Sequence, residues 1–112
     1  MDCLFCKIID GSIPSDLVYE DENVLAFRDI NPTSPIHILF VPKVHFASLS
    51  ESHGKEDALL DVFKAIRAYV AKEELDKAGY RLVINAGEHG QQTVDHLHVH
   101  LLAGRQFTWP AG

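Results

Sequence analysis

The sequence predicts an α+β fold in which helices lie on one side of a mainly antiparallel five-stranded sheet. One observation is a long stretch, residues 56–77, where apolar residues recur at helical intervals and charged residues fill the opposite face. The other is a set of five short runs rich in the β-branched and aromatic residues that strands favour. The order helix, hairpin, strand, helix and two strands favours the α+β class. The length of 112 residues predicts one domain over residues 1–112.

The first half of the chain contains a short helix, a hairpin and a strand. Residues 4–10 have helical apolar spacing, and Gly11 is expected to end that helix because glycine accepts a left-handed backbone. Residues 17–19 and 24–27 are short β-type runs on either side of a polar turn, which predicts a hairpin. A loop with two prolines follows, and residues 37–41 are predicted to form a buried strand.

The second half contains the long helix and two strands. Residues 56–77 form the predicted amphipathic helix, and Gly79 is placed to cap it. Residues 80–85 are predicted to form a strand. A glycine-containing loop, residues 86–90, then leads to a final strand over residues 94–103.

The charge balance excludes some classes of function. Ten Lys and Arg residues stand against 16 Asp and Glu residues, which gives a formal charge of −6 at pH 7. An acidic protein is a poor binder of nucleic acid, although one local pocket can still accept a small anion. No apolar run approaches the ~20 residues that span a bilayer, and Asp2 stands where a signal peptide has basic residues. We therefore expect a cytoplasmic protein that does not associate with membranes.

Three of the seven histidines alternate with apolar residues near the C-terminus: His96, His98 and His100. Alternate side chains of a strand lie on one face, so the three imidazoles are predicted to lie together. A strand face that is polar by coincidence would explain one such histidine better than three in register. The two other interpretations are a metal site and a catalytic site, because imidazole binds zinc and acts as nucleophile, acid or base near neutral pH.

The loop before these histidines is rich in flexible backbone and amide donors. Its residues are Gly87, Gly90, Gln91, Gln92 and Thr93. Backbone N–H groups of such loops can approach phosphate oxygens closely, because glycine leaves the backbone accessible. A glycine-rich turn alone most often only reverses the chain. Next to three imidazoles, it predicts a phosphate or oxyanion pocket.

Residues 96–102, HLHVHLL, resemble the His-x-His-x-His-x-x signature of the histidine-triad (HIT) superfamily, in which x is apolar. Segments along nearly the whole chain resemble that family in order, among them FCKII at residues 5–9, FRDI at residues 27–30 and PIH at residues 35–37. The tail GRQFTWP, residues 104–110, resembles the branch of histidine-triad nucleotide-binding proteins. The resemblance implies a HIT-like fold whose sheet continues across a dimer.

The resemblance also implies an enzyme that cleaves the P–N bond of purine nucleoside 5′-phosphoramidates, or acylated adenylates. His98 matches the family's nucleophile, which attacks the α-phosphorus and forms a nucleotidyl-histidine; water then releases a nucleoside monophosphate. His100 and His37 match histidines that orient the nucleophile or stabilise phosphoryl charge, and no cofactor is implied for catalysis. Two alternatives stay open: a dinucleoside polyphosphate hydrolase, and a nucleotide-binding interaction module without turnover.

Seven further positions match the family's nucleotide site. One acid corresponds to the acceptor for the ribose hydroxyls, three polar residues to the phosphate side, and three apolar residues to the walls around a purine. In that order they are Asp29; Asn85, Gln92 and Thr93; and Ile13, Phe27 and Ile30. Plain core packing is an equal alternative for the three apolar residues. Gln91 departs from the family, which commonly has glycine at this position. If the position requires a positive φ, the glutamine side chain stands where glycine is better suited.

A Cys-x-x-Cys pair near the N-terminus has the spacing of metal ligands or of a redox pair. A thioredoxin-like role needs a preceding strand, which is missing, and two partly buried thiols are the alternative without function. Some bacterial members of the superfamily, which this chain resembles here, bind zinc through such a pair and two histidines. The matching residues are Cys3, Cys6, His45 and His96. His53 and His89 are then expected to be exposed loop residues.

Trp109 in the tail has no obvious packing partner in a small monomer. One alternative is a fold-back onto the chain's own long helix. In the resembling branch, two protomers pair through that helix and a sheet edge, and the tail reaches the partner's active site. The resemblance therefore implies a two-fold homodimer that binds a small purine nucleotide.

Overall fold

The computed structural model describes residues 3–112, so Asp2, on which the signal-peptide expectation depends, lies outside the described part. The helices are α1 (Leu4–Ile9) and α2 (Glu56–Lys72), and a short 3-10 turn covers Leu49–Glu51. The strands are β1 (Leu17–Glu20), β2 (Val24–Arg28), β3 (Ile36–Pro42), β4 (Tyr80–Val83) and β5 (Val99–Ala103). They form one antiparallel sheet in the order β1-β2-β3-β5-β4, which confirms the predicted α+β class. No helix within residues 3–112 has the length and apolar content that crossing a membrane requires.

The two helices lie on opposite faces of the sheet, so the prediction that they share one side was wrong. On one face, Val62 and Ile66 of α2 pack in a buried cluster with Phe40. On the other face, Phe5 of α1 packs against Phe27 at a ring-centroid distance of 5.4 Å. Four consecutive residues of β2 are buried, because a strand covered on both faces is apolar throughout instead of alternating.

The helix α2 ends at Lys72, earlier than the predicted end at residue 77. Glu74 has a φ of 56°, and the Leu75 N–H donates to the Val70 carbonyl at 3.0 Å. These are the features of a Schellman C-cap, in which a left-handed residue closes the helix. That residue is usually glycine, so Glu74 left no signal in the sequence. The predicted cap, Gly79, instead lies just before β4.

The strand predicted over residues 94–103 was wrong in its first half, because β5 begins at Val99 and β3 pairs with it no further than that residue. Pro42, at the end of β3, has no N–H for a ladder, and its carbonyl accepts a hydrogen bond from the ring of His96 at 2.8 Å. Residues 94–98 therefore form a segment outside the sheet. The three histidines do not share one strand face as predicted, and their rings enter two different sites.

Candidate active site and metal centre

The histidines that the sequence singled out separate into two clusters. The histidine cluster consists of Asp29, His37, His98 and His100. The cysteine cluster consists of Cys3, Cys6, His45 and His96. Both predicted bystanders, His53 and His89, are exposed.

His98 is buried and held by the backbone in one tautomer. Its Nδ1 lies 2.7 Å from the carbonyl oxygen of His96. A carbonyl only accepts, so Nδ1 donates its proton there, and the lone pair of the neutral ring is on Nε2, on the far side of the ring. Phe5 of α1 contacts the ring edge-on at a centroid distance of 5.0 Å and fixes its plane. His98 therefore presents a lone pair on Nε2, which is the property that a nucleophile requires.

His37 and His100 form a directional chain of hydrogen bonds. The backbone N–H of Thr33 donates to His37 Nδ1 at 3.1 Å, so the proton of the neutral His37 ring is on Nε2. That Nε2 lies 2.9 Å from His100 Nδ1 and donates to it. His100 consequently carries its proton on Nε2 and offers an N–H donor. Its ring lies 5.0 Å from that of His98, centroid to centroid.

Burial favours the uncharged form of the two imidazoles, His37 and His100, that form this chain of hydrogen bonds. Burial, and after it the neighbouring His98 and His37, lowers the pKa of His100 to about 4, against a smaller opposing effect of Asp29. Burial also lowers the pKa of His37, although the carboxylate of Asp29, with Oδ2 3.5 Å from Nε2, acts in the other direction. These lowered pKa values agree with the neutral rings that the alternation of donors and acceptors requires.

A largely apolar pocket of about 340 Å³ opens beside the cluster, with His98 and His100 in its wall. Five of the seven predicted nucleotide-binding residues line it: Ile13, Phe27, Asp29, Ile30 and Thr93. Ile30 is 90% exposed and forms the rim, whereas Phe27 is 3% exposed and belongs to both the pocket wall and the core. Phe27 therefore fits both interpretations of the apolar residues, as part of a purine-binding wall and as part of the core.

Asn85 and Gln92, the other two predicted residues, do not line this pocket; their side chains organise the loop. Gln92 Nε2 donates to the carbonyls of Ala47 at 2.6 Å and Val94 at 3.0 Å. Asn85 Nδ2 donates to the carbonyl of the loop residue Gly90 at 2.7 Å. The same loop holds Gln91 at a φ of 62°, the left-handed backbone for which glycine is better suited.

The cysteine cluster fits a tetrahedral metal ion. Its ligand atoms all lie within 4.8 Å of one another. His96 Nδ1 is 3.4 Å from Cys3 Sγ, 3.6 Å from Cys6 Sγ and 3.0 Å from His45 Nδ1. Zinc bonds of about 2.0 Å to nitrogen and about 2.3 Å to sulfur separate tetrahedral ligands by about 3.3 Å between two nitrogens, about 3.5 Å between nitrogen and sulfur and about 3.8 Å between two sulfurs, so the cluster could hold zinc with small shifts.

The protonation pattern of the cysteine cluster agrees with this fit. His96 Nε2 donates to the Pro42 carbonyl, which leaves the lone pair on Nδ1, the nitrogen that faces the sulfurs. Ligating histidines commonly make such a second hydrogen bond. Burial and a hydrogen bond with Cys3 raise the pKa of the Cys6 thiol to about 11, so a cation has to displace its proton before the thiolate can bind.

Asp29, His37 and His100 form a second group whose atoms are close enough for a metal ion. The hydrogen bonds argue against this use. The Thr33 N–H takes the Nδ1 lone pair of His37, which places a proton on Nε2, the nitrogen that faces the group. A metal ligand needs a lone pair on that nitrogen. The hydrogen bonds therefore suit the histidine cluster to donating a proton and not to holding a metal ion.

The sequence model of the HIT domain matches residues 10–107. This chain belongs to the HIT domain family. A 14 kDa zinc-binding protein of Zea mays is 50% identical over 111 residues, which cover 97% of this chain and 87% of that protein. Adenylylsulfatase HINT1 of Arabidopsis thaliana is 47% identical over 111 residues, covering 97% and 76%. The crystal structure of a HIT family hydrolase from Legionella pneumophila Philadelphia 1 matches with a TM-score of 0.94 and 46% identity, over 99% of this chain and 100% of that one.

Within the HIT family, the chain lies in the branch of the histidine-triad nucleotide-binding and 14 kDa zinc-binding proteins, as the sequence resemblance implied. Three groups of this HIT domain escaped the sequence analysis: the Pro42 carbonyl, the Thr33 N–H and the Phe5 ring. Main-chain groups are the same in every residue type and give no sequence signal. Phe5 has the helical spacing of a core residue, and at 4% exposure it is one, but it also contacts His98.

Proposed function

We propose that this HIT domain hydrolyses purine nucleoside 5′-phosphoramidates, and acylated adenylates, to nucleoside monophosphates. The observation that carries the proposal is the pairing of a lone pair on His98 Nε2 with an N–H on His100 Nε2 at one pocket. A reaction at phosphorus needs both, a nucleophile for the phosphorus and a donor for its oxygens.

The first step makes one bond and breaks one. His98 Nε2 bonds to the α-phosphorus while the bond from phosphorus to the leaving nitrogen breaks. That nitrogen takes up a proton, which we assign to the hydroxyl of Thr93 in the pocket wall, resupplied from solvent. The nucleotidyl-histidine is cationic, and the His96 carbonyl stabilises it through the proton on Nδ1.

The second step restores the enzyme. A water oxygen attacks the same phosphorus, the bond to His98 Nε2 breaks, and the proton of the water passes to solvent. The N–H of His100 donates to a phosphoryl oxygen in both steps, and His37 holds that N–H in place. One difficult displacement thus becomes two easier ones.

The pocket is assigned to the purine and ribose. Its apolar walls, which include Ile13 and Phe27, suit a flat aromatic base, and the half-buried carboxylate of Asp29 can accept from ribose hydroxyls. Asn85 and Gln92 are proposed to act on the phosphate side by holding the loop in shape. The base then lies toward α1, whose Leu4, Phe5 and Ile8 also line the pocket.

Other leaving groups require only the same His98 chemistry. The relative named adenylylsulfatase makes adenylyl sulfate, with sulfate as leaving group, a second candidate substrate. Cleavage of dinucleoside polyphosphates and nucleotide binding without turnover are the remaining alternatives.

We also propose that zinc bound by the cysteine cluster is structural and takes no part in the bond changes. The cluster offers four protein ligands, as closed structural zinc sites do, whereas catalytic sites keep a position open. The relative named a zinc-binding protein supports this assignment.

A homodimer is the proposed assembly. The strand β4 is an edge of the sheet and exposes Tyr80 and Leu82, and α2 exposes Leu60 and Phe63. Trp109 is 84% exposed in the single chain, so the fold-back onto the chain's own helix is not formed. A second copy would cover these apolar groups.

The test is hydrolysis of a fluorogenic adenosine phosphoramidate by wild type and by His98→Ala. Loss of the nucleophile is expected to lower kcat/KM by about 10⁴-fold, whereas the exposed control His53→Ala keeps the wild-type rate. Equal rates for wild type and His98→Ala would refute the nucleophile. Diadenosine polyphosphate and adenylyl sulfate are assayed in parallel. If either is turned over faster than the phosphoramidate, its class becomes the assigned substrate class. Tight nucleotide binding without any turnover supports the interaction module.

A further inference from the structure

The two clusters meet in one residue, His96. Its ring is fully buried in the cysteine cluster, and its backbone carbonyl accepts the Nδ1 proton of His98 at 2.7 Å. The carbonyl that selects the tautomer of the nucleophile is therefore attached to a proposed zinc ligand. The anchoring of the His96 ring on one side and the bond to His98 on the other act on the same residue.

The segment that carries that peptide, residues 94–98, lies outside the sheet. It is held by the burial of Leu97 and by hydrogen bonds, among them one from the Leu97 N–H to the Phe46 carbonyl at 2.8 Å. Phe46 directly follows His45, another member of the cysteine cluster. The ring of His96 adds its bond from Nε2 to the Pro42 carbonyl. Two of these contacts therefore come from the cysteine cluster or its direct neighbour, and Gln92 Nε2 adds a third by donating to the Val94 carbonyl at 3.0 Å.

A second contact runs from the cysteines to the nucleophile. Phe5 lies between Cys3 and Cys6 on α1, and its ring contacts His96 at 6.0 Å and His98 at 5.0 Å, both edge-on. The two thiols and the packing of Phe5 in the core together position this short helix. The ring that contacts His98 is thus attached to the segment that carries both thiols.

Two ring nitrogens and two sulfurs converge at the centre of the cysteine cluster. His45 Nδ1 and His96 Nδ1 lie 3.0 Å apart, and His96 has its lone pair there, so His45 must turn a proton toward it. The sulfurs lie at 3.4 Å and 3.6 Å from the same nitrogen. A divalent ion accepts all four lone pairs at once and fixes the ring of His96 from one direction.

We infer that the cysteine cluster, loaded with a divalent metal ion, positions the nucleophile by fixing the His96 carbonyl that holds the Nδ1 proton of His98. This rests on the proposed function of both clusters. Cys3, Cys6 and His45 are then positioning residues that touch neither substrate nor phosphorus. Their effect on turnover goes through the tautomer and ring plane of His98.

The experiment combines ring NMR with kinetics on the full-length chain. Long-range ¹H–¹⁵N correlation spectra of ¹⁵N-labelled protein distinguish Nδ1–H from Nε2–H for each histidine. They are recorded, with zinc content and kcat for a phosphoramidate, on the zinc-loaded chain, the chelator-treated chain, Cys6→Ser and Cys6→His. The last variant replaces one zinc ligand by another and serves as the conservative rescue, and His53→Ala is the control.

In the zinc-loaded chain, His98 is expected to be almost wholly in the Nδ1–H form. Chelation and Cys6→Ser are expected to convert His98 to a mixture of the Nδ1–H and Nε2–H forms and to lower kcat about 10-fold, with KM changed less. Cys6→His is expected to restore part of the Nδ1–H form and part of kcat. If the chain binds zinc but the folded zinc-free protein keeps the Nδ1–H form and a kcat within twofold, the inference is overturned while the zinc site stands. If the chain binds no zinc at all, the proposed zinc site and this inference both fall.

A zinc-free chain that unfolds does not end the test. The same spectra are then recorded with cadmium in place of zinc, whose longer bonds to sulfur and nitrogen displace the His96 ring within a folded protein. A shifted or weakened Nδ1–H signal of His98, with a reduced kcat, supports the inference. An unchanged signal and rate overturn it.

Discussion

The cysteine cluster and the histidine cluster both contain histidine side chains, yet they are suited to different chemistry. In the cysteine cluster, the Pro42 carbonyl takes the Nε2 proton of His96, and the lone pair faces two sulfurs. In the histidine cluster, the Thr33 N–H takes a lone pair of His37, and a proton faces inward. The backbone group on the outer nitrogen thus decides whether an imidazole is a metal ligand or a hydrogen-bond donor.

The clusters also differ in access. The cysteine cluster brings four protein ligands together, and His96 has no exposed surface, while Cys6 and His45 are half-buried. The histidine cluster is open to the pocket that contains Asp29 and Thr93. A closed site with four ligands is suited to holding an ion, whereas an open site with a free lone pair is suited to turnover. The predictions below test this division of labour, from the largest expected effect to the smallest.

Removal of zinc is expected to cost more stability than any other single change considered. Chelation, or Cys3→Ser, should lower the free energy of unfolding by about 3–5 kcal/mol, because zinc-binding energy is folding energy. For a chain of this size that is a fall in Tm of more than about 10 °C, measured by circular dichroism with zinc content in parallel. Chelator should have no further effect on Cys3→Ser. An unchanged Tm of the chelated wild type would show that the cluster holds no structural ion.

Loss of His37 is expected to damage turnover and leave zinc in place. His37→Ala removes the donor to His100 Nδ1, so the N–H of His100 is no longer directed at the phosphoryl oxygens. We expect kcat to fall about 10²-fold with normal zinc content. His37→Gln, whose amide can donate in a similar position, should recover part of the loss. Zinc loss from His37→Ala would break the separation of the clusters.

The class of fold and the residue content of both clusters could be predicted from the sequence, because they depend on hydrophobic periodicity and on motif text. The assignment of rings to sites could not be obtained from strand alternation, since the pairing of β3 with β5 ends at Phe40 and Val99 and residues 94–98 lie outside the sheet. The end of α2 at Lys72 was missed because Glu74 takes the left-handed cap position. Tautomers depend on backbone groups such as the Thr33 N–H, which every sequence contains.

Acid is expected to weaken the fold through the histidine cluster. The pKa of His100 is lowered from 6.5 to about 4 in the fold, so the unfolded chain binds the proton first as pH falls. The contribution of the neutral His100 to the free energy of unfolding is therefore complete above pH 6.5. It is lost as the pH falls from 6.5 to 4. We expect a loss of about 2 kcal/mol, below the full value of the shift because the ring is partly exposed. Urea unfolding from pH 7 to pH 4 measures it, and His100→Asn should flatten the curve. Equal slopes for both proteins would contradict the buried neutral pair.

The smallest expected effect concerns the loop beside the histidine cluster. Gln91→Gly relieves a left-handed backbone at φ 62° and should raise the free energy of unfolding by about 1 kcal/mol. Glu74→Gly, at φ 56° in the cap of α2, is the matched control and should stabilise similarly. Only Gln91→Gly should also lower KM, by a factor of about two, because glycine lets the backbone approach the phosphate. Equal kinetics for the two variants would show that position 91 does not contact substrate.

The central claim is that the histidine cluster carries the covalent chemistry while the cysteine cluster holds the ion. Its most direct test is peptide mass spectrometry of the zinc-loaded chain, quenched during turnover of an adenosine phosphoramidate. The account predicts an adenylyl group on His98 alone, with zinc content equal before and after turnover. An adenylyl group on His96 or His45, or sustained turnover without any adduct on His98, would contradict it.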